Sequence, residues 1–193
     1  MRSTIKWFVV FMAAFIGLSA SAAGDEYAAI RDKLQACATC HGDKGASAQA
    51  QYPILAGQEL HYLYVQLKDF KAERRADPIM SPIAATLEKE EMQLMAKYFS
   101  EQAWPNIGHR SDAALEKVGL MAASAGQCVA CHLGGYEGNS RVPRLAGQHP
   151  EYLQKTMLDF KTKTRKNSPA KGSLMESFGE EDIEGMADYL GGL

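Results

Sequence analysis

The 193-residue sequence has only four cysteines, too few to brace a chain of this size as a disulfide-packed secreted domain. It has no surplus of either charge, with 21 Lys and Arg against 23 Asp and Glu. That balance excludes the broad basic surface that nucleic-acid binding requires. Its one sizeable apolar run, Trp7 to Leu18, is 12 residues, well short of the roughly 20 that cross a bilayer. No stretch sustains the period-two alternation of a half-buried strand. Apolar residues make up 46% and charged residues 23%, an ordinary globular balance that excludes an intrinsically disordered or collagen-like chain.

The apolar run follows Arg2 and Lys6 and precedes Ser19-Ala20-Ser21-Ala22-Ala23. A positive start, a short apolar centre and small residues at a cleavage site describe a secretory signal peptide over residues 1–22, cut near Ala22/Ala23. The expected mature chain is therefore exported and soluble, with peripheral membrane association still open.

An internal repeat organises the remainder. Pro53-Ile54-Leu55-Ala56-Gly57-Gln58 returns 90 positions later as Pro143-Arg144-Leu145-Ala146-Gly147-Gln148, and Tyr62-Leu63 and Asp69-Phe70-Lys71 return as Tyr152-Leu153 and Asp159-Phe160-Lys161. Two folding units are expected, at residues 23–103 and 112–193, with a linker at 104–111 that contains Trp104-Pro105. Within each unit the apolar spacing is helical: Leu60, Leu63, Leu67 and Phe70 define one face, and Leu153, Met157 and Phe160 its copy. The fold class expected is all-α, with three or four short helices per unit joined by long loops. Units of about 80 residues with extended loops bury little apolar surface, so a non-peptidic group is expected to complete each core.

All four cysteines fall in two identical patterns, Cys37-Ala38-Thr39-Cys40-His41 and Cys128-Val129-Ala130-Cys131-His132. Two thiols three positions apart suit thioether attachment to the two vinyl groups of a haem, and the adjacent His supplies an axial nitrogen. Short disulfides leave the histidines unexplained. A four-cysteine zinc site keeps its pairs about 15–20 residues apart, a redox dithiol accompanies a βαβ pattern, and neither condition is met.

The second axial ligand separates carrying electrons from binding substrate. His61, His109 and His149 do not recur between the halves and read as surface or packing residues. Met92, Met95, Met157 and Met186 lie on helical stripes and read as core. Met80 and Met175 remain, each expected in a loop before the last helix of its unit, with Pro78 and Pro82 expected to break any helix around Met80. The interval from Phe70 to Met80 is 10 residues but from Phe160 to Met175 it is 15, so the second loop is rebuilt. A His/Met pair favours ferrous iron and raises the reduction potential.

Paired CxxCH motifs, the repeated P-x-L-A-G-Q and a Met before each final helix make the chain resemble the dihaem cytochrome c4 family over about residues 25–191. The resemblance implies two tandem class I cytochrome c domains, two covalent haem c groups, and haem propionates near the domain interface. It also implies a periplasmic electron carrier serving redox partner proteins, such as a membrane oxidase, reductase or quinol-oxidising complex. The family's proline carbonyl bonded to the ligating His maps onto Pro53 and Pro143. Arg75 and Arg165 occupy equivalent repeat positions and are the candidates for propionate contacts. Lys161, Lys163, Arg165, Lys166 and Lys171 cluster in the rebuilt loop, read as a solvated face or alternatively as a docking or propionate-pairing surface. This charge is expected to give the second haem the higher potential.

No residue is expected to perform acid–base or nucleophilic chemistry, and no small-molecule substrate or nucleic acid is expected. Two rivals stay open: the similar cytochrome subunit of a flavocytochrome c sulfide dehydrogenase, and a dihaem peroxidase or thiosulfate dehydrogenase.

Overall fold

The computed structural model describes residues 25–193; the expected signal peptide and its cleavage site lie outside them. Four α-helices come from the first repeat, α1 (Arg31–His41), α2 (Leu60–Lys71), α3 (Met80–Ala85) and α4 (Lys89–Ser100). Five come from the second, α5 (Ala113–Ala125), α6 (Val129–His132), α7 (Pro150–Lys161), α8 (Pro169–Met175) and α9 (Glu180–Gly191). Among the described residues there is no strand, only an isolated bridge between Asn139 and Val142. The fold is all-α.

Local chemistry sets the helix boundaries. Asp112 caps α5 by accepting from the Ala114 and Leu115 N–H groups, and the Glu91 carboxylate accepts from the Glu88 N–H at the start of α4. Pro150 and Pro169 stand at the openings of α7 and α8, where a missing N–H costs nothing.

The expectation that both axial-ligand candidates lie in loops is corrected here. Met80 opens α3 and Met175 closes α8. Pro82 does not break α3 because it falls in the first turn, whose N–H groups have no intrahelical acceptor. The Asp77 carboxylate caps that turn, accepting from Ile79 and Met80 N–H at 2.9 and 2.8 Å.

In the first half, α2 packs on α3 and α4; in the second, α7 packs on α8 and α9, and α5 crosses α9. That last crossing is close enough to require glycine. A Cβ on Gly119 would stand 2.0 Å from the Gly185 carbonyl oxygen, so the two backbones touch. The second half buries one continuous cluster including Tyr136, Phe160, Met175, Phe178, Ile183, Met186 and Leu190. The first half divides its core into two smaller clusters, around Ile30–Met95 and around Leu63–Phe99.

The repeated P-x-L-A-G-Q segments meet at the interface. Gln148, buried, accepts from the Ile54 N–H at 2.9 Å and donates to the Ile54 carbonyl at 3.1 Å. Its counterpart Gln58 accepts from the Arg144 N–H at 2.8 Å and donates to the Arg144 carbonyl at 3.0 Å. Trp104 of the linker lies between the two glycines of the same motifs. A Cβ on Gly57 would come within 3.1 Å of the Trp104 backbone N, and one on Gly147 within 3.1 Å of Trp104 Nε1. Both glycines also have positive φ, 66° and 69°, so shape and conformation demand the same residue. The Arg144 guanidinium lies over the indole, 4.7 Å from the ring.

Candidate functional site: two cysteine–histidine centres

The first centre grows from the C-terminal end of α1. One helical turn brings Cys37, Cys40 and His41 together, and Gly42, with φ of 75°, ends the helix directly after the His. The second is assembled differently. Helix α5 stops at Ala125, the chain turns through Gly126 and Gln127, and the short α6 carries Cys131 and His132 after Cys128. All four cysteines are unpaired. Cys37 packs against the Leu63–Phe99 cluster and Cys128 against the cluster containing Met175. Burial pushes both thiols above their ordinary range, so they stand as neutral, partly covered sulfurs.

Each histidine is oriented by one backbone acceptor. His41 Nδ1 lies 2.9 Å from the Pro53 carbonyl and His132 Nδ1 lies 2.8 Å from the Pro143 carbonyl. A neutral ring that donates from Nδ1 presents a bare lone pair at Nε2, the state a metal needs. Burial lowers the pKa of both rings, outweighing the raising effect of the proline carbonyls; Arg75 adds to the lowering at His41 and Lys171 at His132. Both therefore hold the neutral form.

Arg75 and Arg165 converge across the interface. Arg75 donates to Gln66 Oε1 at 3.0 Å and to the Tyr152 hydroxyl at 2.9 Å. Arg165 donates to the same Gln66 oxygen at 2.8 Å, with the Tyr62 hydroxyl 3.4 Å away. Each guanidinium also stacks on the phenylalanine of its own repeat, Phe70 at 4.5 Å and Phe160 at 4.4 Å. Among the described residues neither forms an ion pair. Burial pushes the Tyr152 phenol up, yet the two arginines overcome it and bring the pKa down to about 7. Two cations sharing one neutral amide oxygen leave an uncompensated positive potential, which calls for an anion. Haem propionates carry negative charge and acceptor oxygens that the two guanidiniums can serve, so the residues present fit the group.

One sequence expectation needs adjustment. The basic run of the rebuilt loop is not one solvated face: Arg165 is buried, Lys161 donates to the Phe178 carbonyl at 2.6 Å, and Lys163 pairs with Glu176 at 2.6 Å. Lys171 is half-buried beside Phe160 and acts electrostatically on His132. His149, expected at a surface or in packing, is buried and bridges the halves, its Nε2 2.9 Å from the Ser47 carbonyl. His109 pairs with Asp188 at 2.9 Å, fastening the linker to α9; His61 is exposed.

Tyr62, Tyr152 and Gln58/Gln148 were visible as repeat positions, and their cross-domain symmetry was the signal that could have marked them. Gln66 and Asn167, which ties Gln66 to Asp69, carry no such mark.

Comparison with known proteins adds family assignments to this geometry. Residues 28–105 match the cytochrome c family, and residues 115–190 match the family described as cytochrome c oxidase, cbb3-type, subunit III. The chain is 32% identical to cytochrome c4 of Pseudomonas aeruginosa over 90% of its own length and 91% of that protein's. It is 38% identical to a thiosulfate dehydrogenase electron acceptor of Stutzerimonas stutzeri, over 80% of this chain and 77% of the relative. The crystal structure of reduced recombinant cytochrome c4 from Pseudomonas stutzeri superposes with a TM-score of 0.77 at 30% identity, covering 86% of this chain and 97% of that one.

Proposed function

Because the chain belongs to the dihaem cytochrome c4 family, a c-type cytochrome of electron transfer with two covalently bound haem c groups, we propose that it is a periplasmic carrier of single electrons between redox proteins and not itself an enzyme. When bound, each haem supplies an iron that cycles between ferrous and ferric; the polypeptide supplies position, ligands and a low-dielectric shell. Cys37 and Cys40 tether the first group, Cys128 and Cys131 the second. His41 and His132, fixed by Pro53 and Pro143, would supply one nitrogen ligand to each iron. Met80 and Met175 would supply a thioether ligand to each, which would leave no site for substrate and favour the ferrous state. Arg75 and Arg165 would hold the propionates, and their charge would further disfavour ferric iron.

The observation that carries this reading is the pair of neutral, backbone-anchored histidines, each beside two free thiols. The test is optical and EPR spectroscopy of the ferric holoprotein. Both haems should be low-spin with a methionine–iron charge-transfer band. Met80→Ala and Met175→Ala should each remove about half of that band; a substitution that leaves it whole would reject that methionine as a ligand.

The partner reading is drawn from two sources. The family points toward a terminal oxidase or reductase. The 38% identity to a thiosulfate dehydrogenase electron acceptor favours, as a second reading, a donor that oxidises thiosulfate. Both keep the chain a carrier. Reduction of the ferric protein by a thiosulfate dehydrogenase plus thiosulfate, and its failure with thiosulfate alone, would distinguish the second reading from an enzymatic one.

A further inference from the structure

The interface glutamines touch more than a neighbouring domain. The Ile54 N–H that donates to Gln148 Oε1 belongs to the same peptide group as the Pro53 carbonyl that accepts from His41 Nδ1. The Arg144 N–H that donates to Gln58 Oε1 shares its peptide with the Pro143 carbonyl that accepts from His132 Nδ1. Each chain of hydrogen bonds therefore runs from a glutamine of one domain, through one peptide unit, to the axial histidine of the other. The links are short, 2.9 and 2.9 Å on one side and 2.8 and 2.8 Å on the other. Both glutamines are almost fully buried, at 2% and 4% exposure, where such bonds are not screened by water.

We propose that Gln148 and Gln58 are crosswise positioning residues that tune the reduction potential of the opposite domain's haem by polarising the peptide that holds its histidine. Accepting a hydrogen bond from the peptide N–H shifts electron density onto the carbonyl oxygen, which strengthens the bond from histidine Nδ1. A more strongly held Nδ1–H gives the ring more imidazolate character and makes Nε2 a better donor to ferric iron. Gln148 thus lowers the potential of the N-terminal haem, and Gln58 that of the C-terminal haem. The second bond of each glutamine, from Nε2 to the Ile54 or Arg144 carbonyl, fixes the side chain so that its oxygen stays on the N–H. An electron carrier gains from this arrangement a coupling between domains that depends on their docked geometry. Parting the interface removes both polarising contacts and raises both potentials together.

The inference rests on His41 and His132 being the axial ligands proposed above. It is tested on full-length holoprotein carrying Gln148→Leu, Gln58→Leu and Gln148→Glu. The readouts are the two midpoint potentials, assigned by domain from haem methyl NMR signals, and the histidine Nδ1–H proton shifts of the ferrous, diamagnetic protein. Gln148→Leu should raise the N-terminal potential and move the His41 signal upfield while leaving His132 in place, and Gln58→Leu should do the mirror image. Gln148→Glu keeps an oxygen acceptor for the Ile54 N–H but faces the Ile54 carbonyl where Gln148 Nε2 now donates. It therefore holds a proton in this buried site and accepts more weakly than the amide, so it should move both N-terminal readouts the same way as Gln148→Leu but less far. This third variant decides the matter should the leucine variants fail to fold. Shifts confined to the substituted domain, equal shifts in both haems from either substitution, or an unmoved His41 signal in Gln148→Glu would overturn the relay. A wild-type protein lacking ring-current-shifted His41 and His132 signals would overturn the ligand reading as well, which separates the two failures.

Discussion

At the residue scale, the site is governed by what each side chain leaves unsatisfied. His41 and His132 spend one ring nitrogen on a proline carbonyl and keep the other bare. Arg75 and Arg165 leave positive charge uncompensated around Gln66. Lys171 adds a third cation, bearing on the second centre only: its charge lowers the His132 pKa, and its own pKa is lowered, chiefly by burial. A positive charge beside a haem penalises the ferric form, so Lys171→Gln should lower the potential of the C-terminal haem more than that of the N-terminal one, as redox titration would report. Because Lys171 titrates below the ordinary lysine range, raising the pH of the wild type should strip this charge and bring the same haem down toward the variant's value. The motif residues were legible because covalent haem chemistry needs those groups at that spacing. Gln66 was not, since nothing in local sequence signals that a lone glutamine on α2 will receive two guanidiniums from distant segments.

At the scale of elements, the two halves solve one packing problem unequally. The second half uses α5 against α9 with Gly119 and Gly185 at backbone contact. The equivalent positions of the first half are Ala28 and Leu94, in a short 3-10 turn (Ala28–Ile30) and in α4. Gly119→Ala should therefore force α5 from α9 and cost about 1–3 kcal/mol by overpacking. Thermal unfolding should show the loss in the C-terminal domain, with the N-terminal transition within a degree or two of wild type. The longer helices were readable from apolar spacing: the Leu60–Phe70 and Leu153–Phe160 faces lie in α2 and α7. The short ones were not. Helix α3 takes its cap from Asp77 and keeps Pro82 in its first turn, and Pro82 looks like a helix breaker until the register is known. Helix α8, started by Pro169, takes in only the end of the segment that looked like a basic loop: Lys171 lies in it, Lys161 closes α7, and Lys163, Arg165 and Lys166 stay between the two helices.

At the scale of the whole molecule, duplication explains the interface. Equivalent residues meet each other's domains: Gln58 and Gln148 cross, and Arg75 and Arg165 reach Tyr152 and Tyr62. The repeat was plain in the sequence, but repeat spacing carries no information about how two copies dock, so the crosswise contacts emerged only in three dimensions. Asymmetric additions then lock one arrangement, with Trp104 wedged between Gly57 and Gly147 and His149 bound to Ser47. Trp104 Nε1 is buried without a hydrogen-bond partner, which costs about 1–3 kcal/mol. Trp104→Phe should fill much of the wedge without that penalty and leave stability equal or higher, whereas Trp104→Ala should loosen the interface and lower the melting temperature. A Phe variant as unstable as the Ala variant would show that the indole nitrogen matters. Among the described residues no helix is long and apolar enough to cross a membrane.

The claim on which the account turns is that this chain moves electrons through two closed haem centres and nothing else. The decisive measurement is a spectroelectrochemical titration of the mature holoprotein, repeated in the presence of peroxide and of thiosulfate. The account predicts two reversible one-electron equivalents per chain, both low-spin throughout, with neither compound consumed. A high-spin ferric haem, a single equivalent, or turnover of either compound by the isolated protein would contradict it.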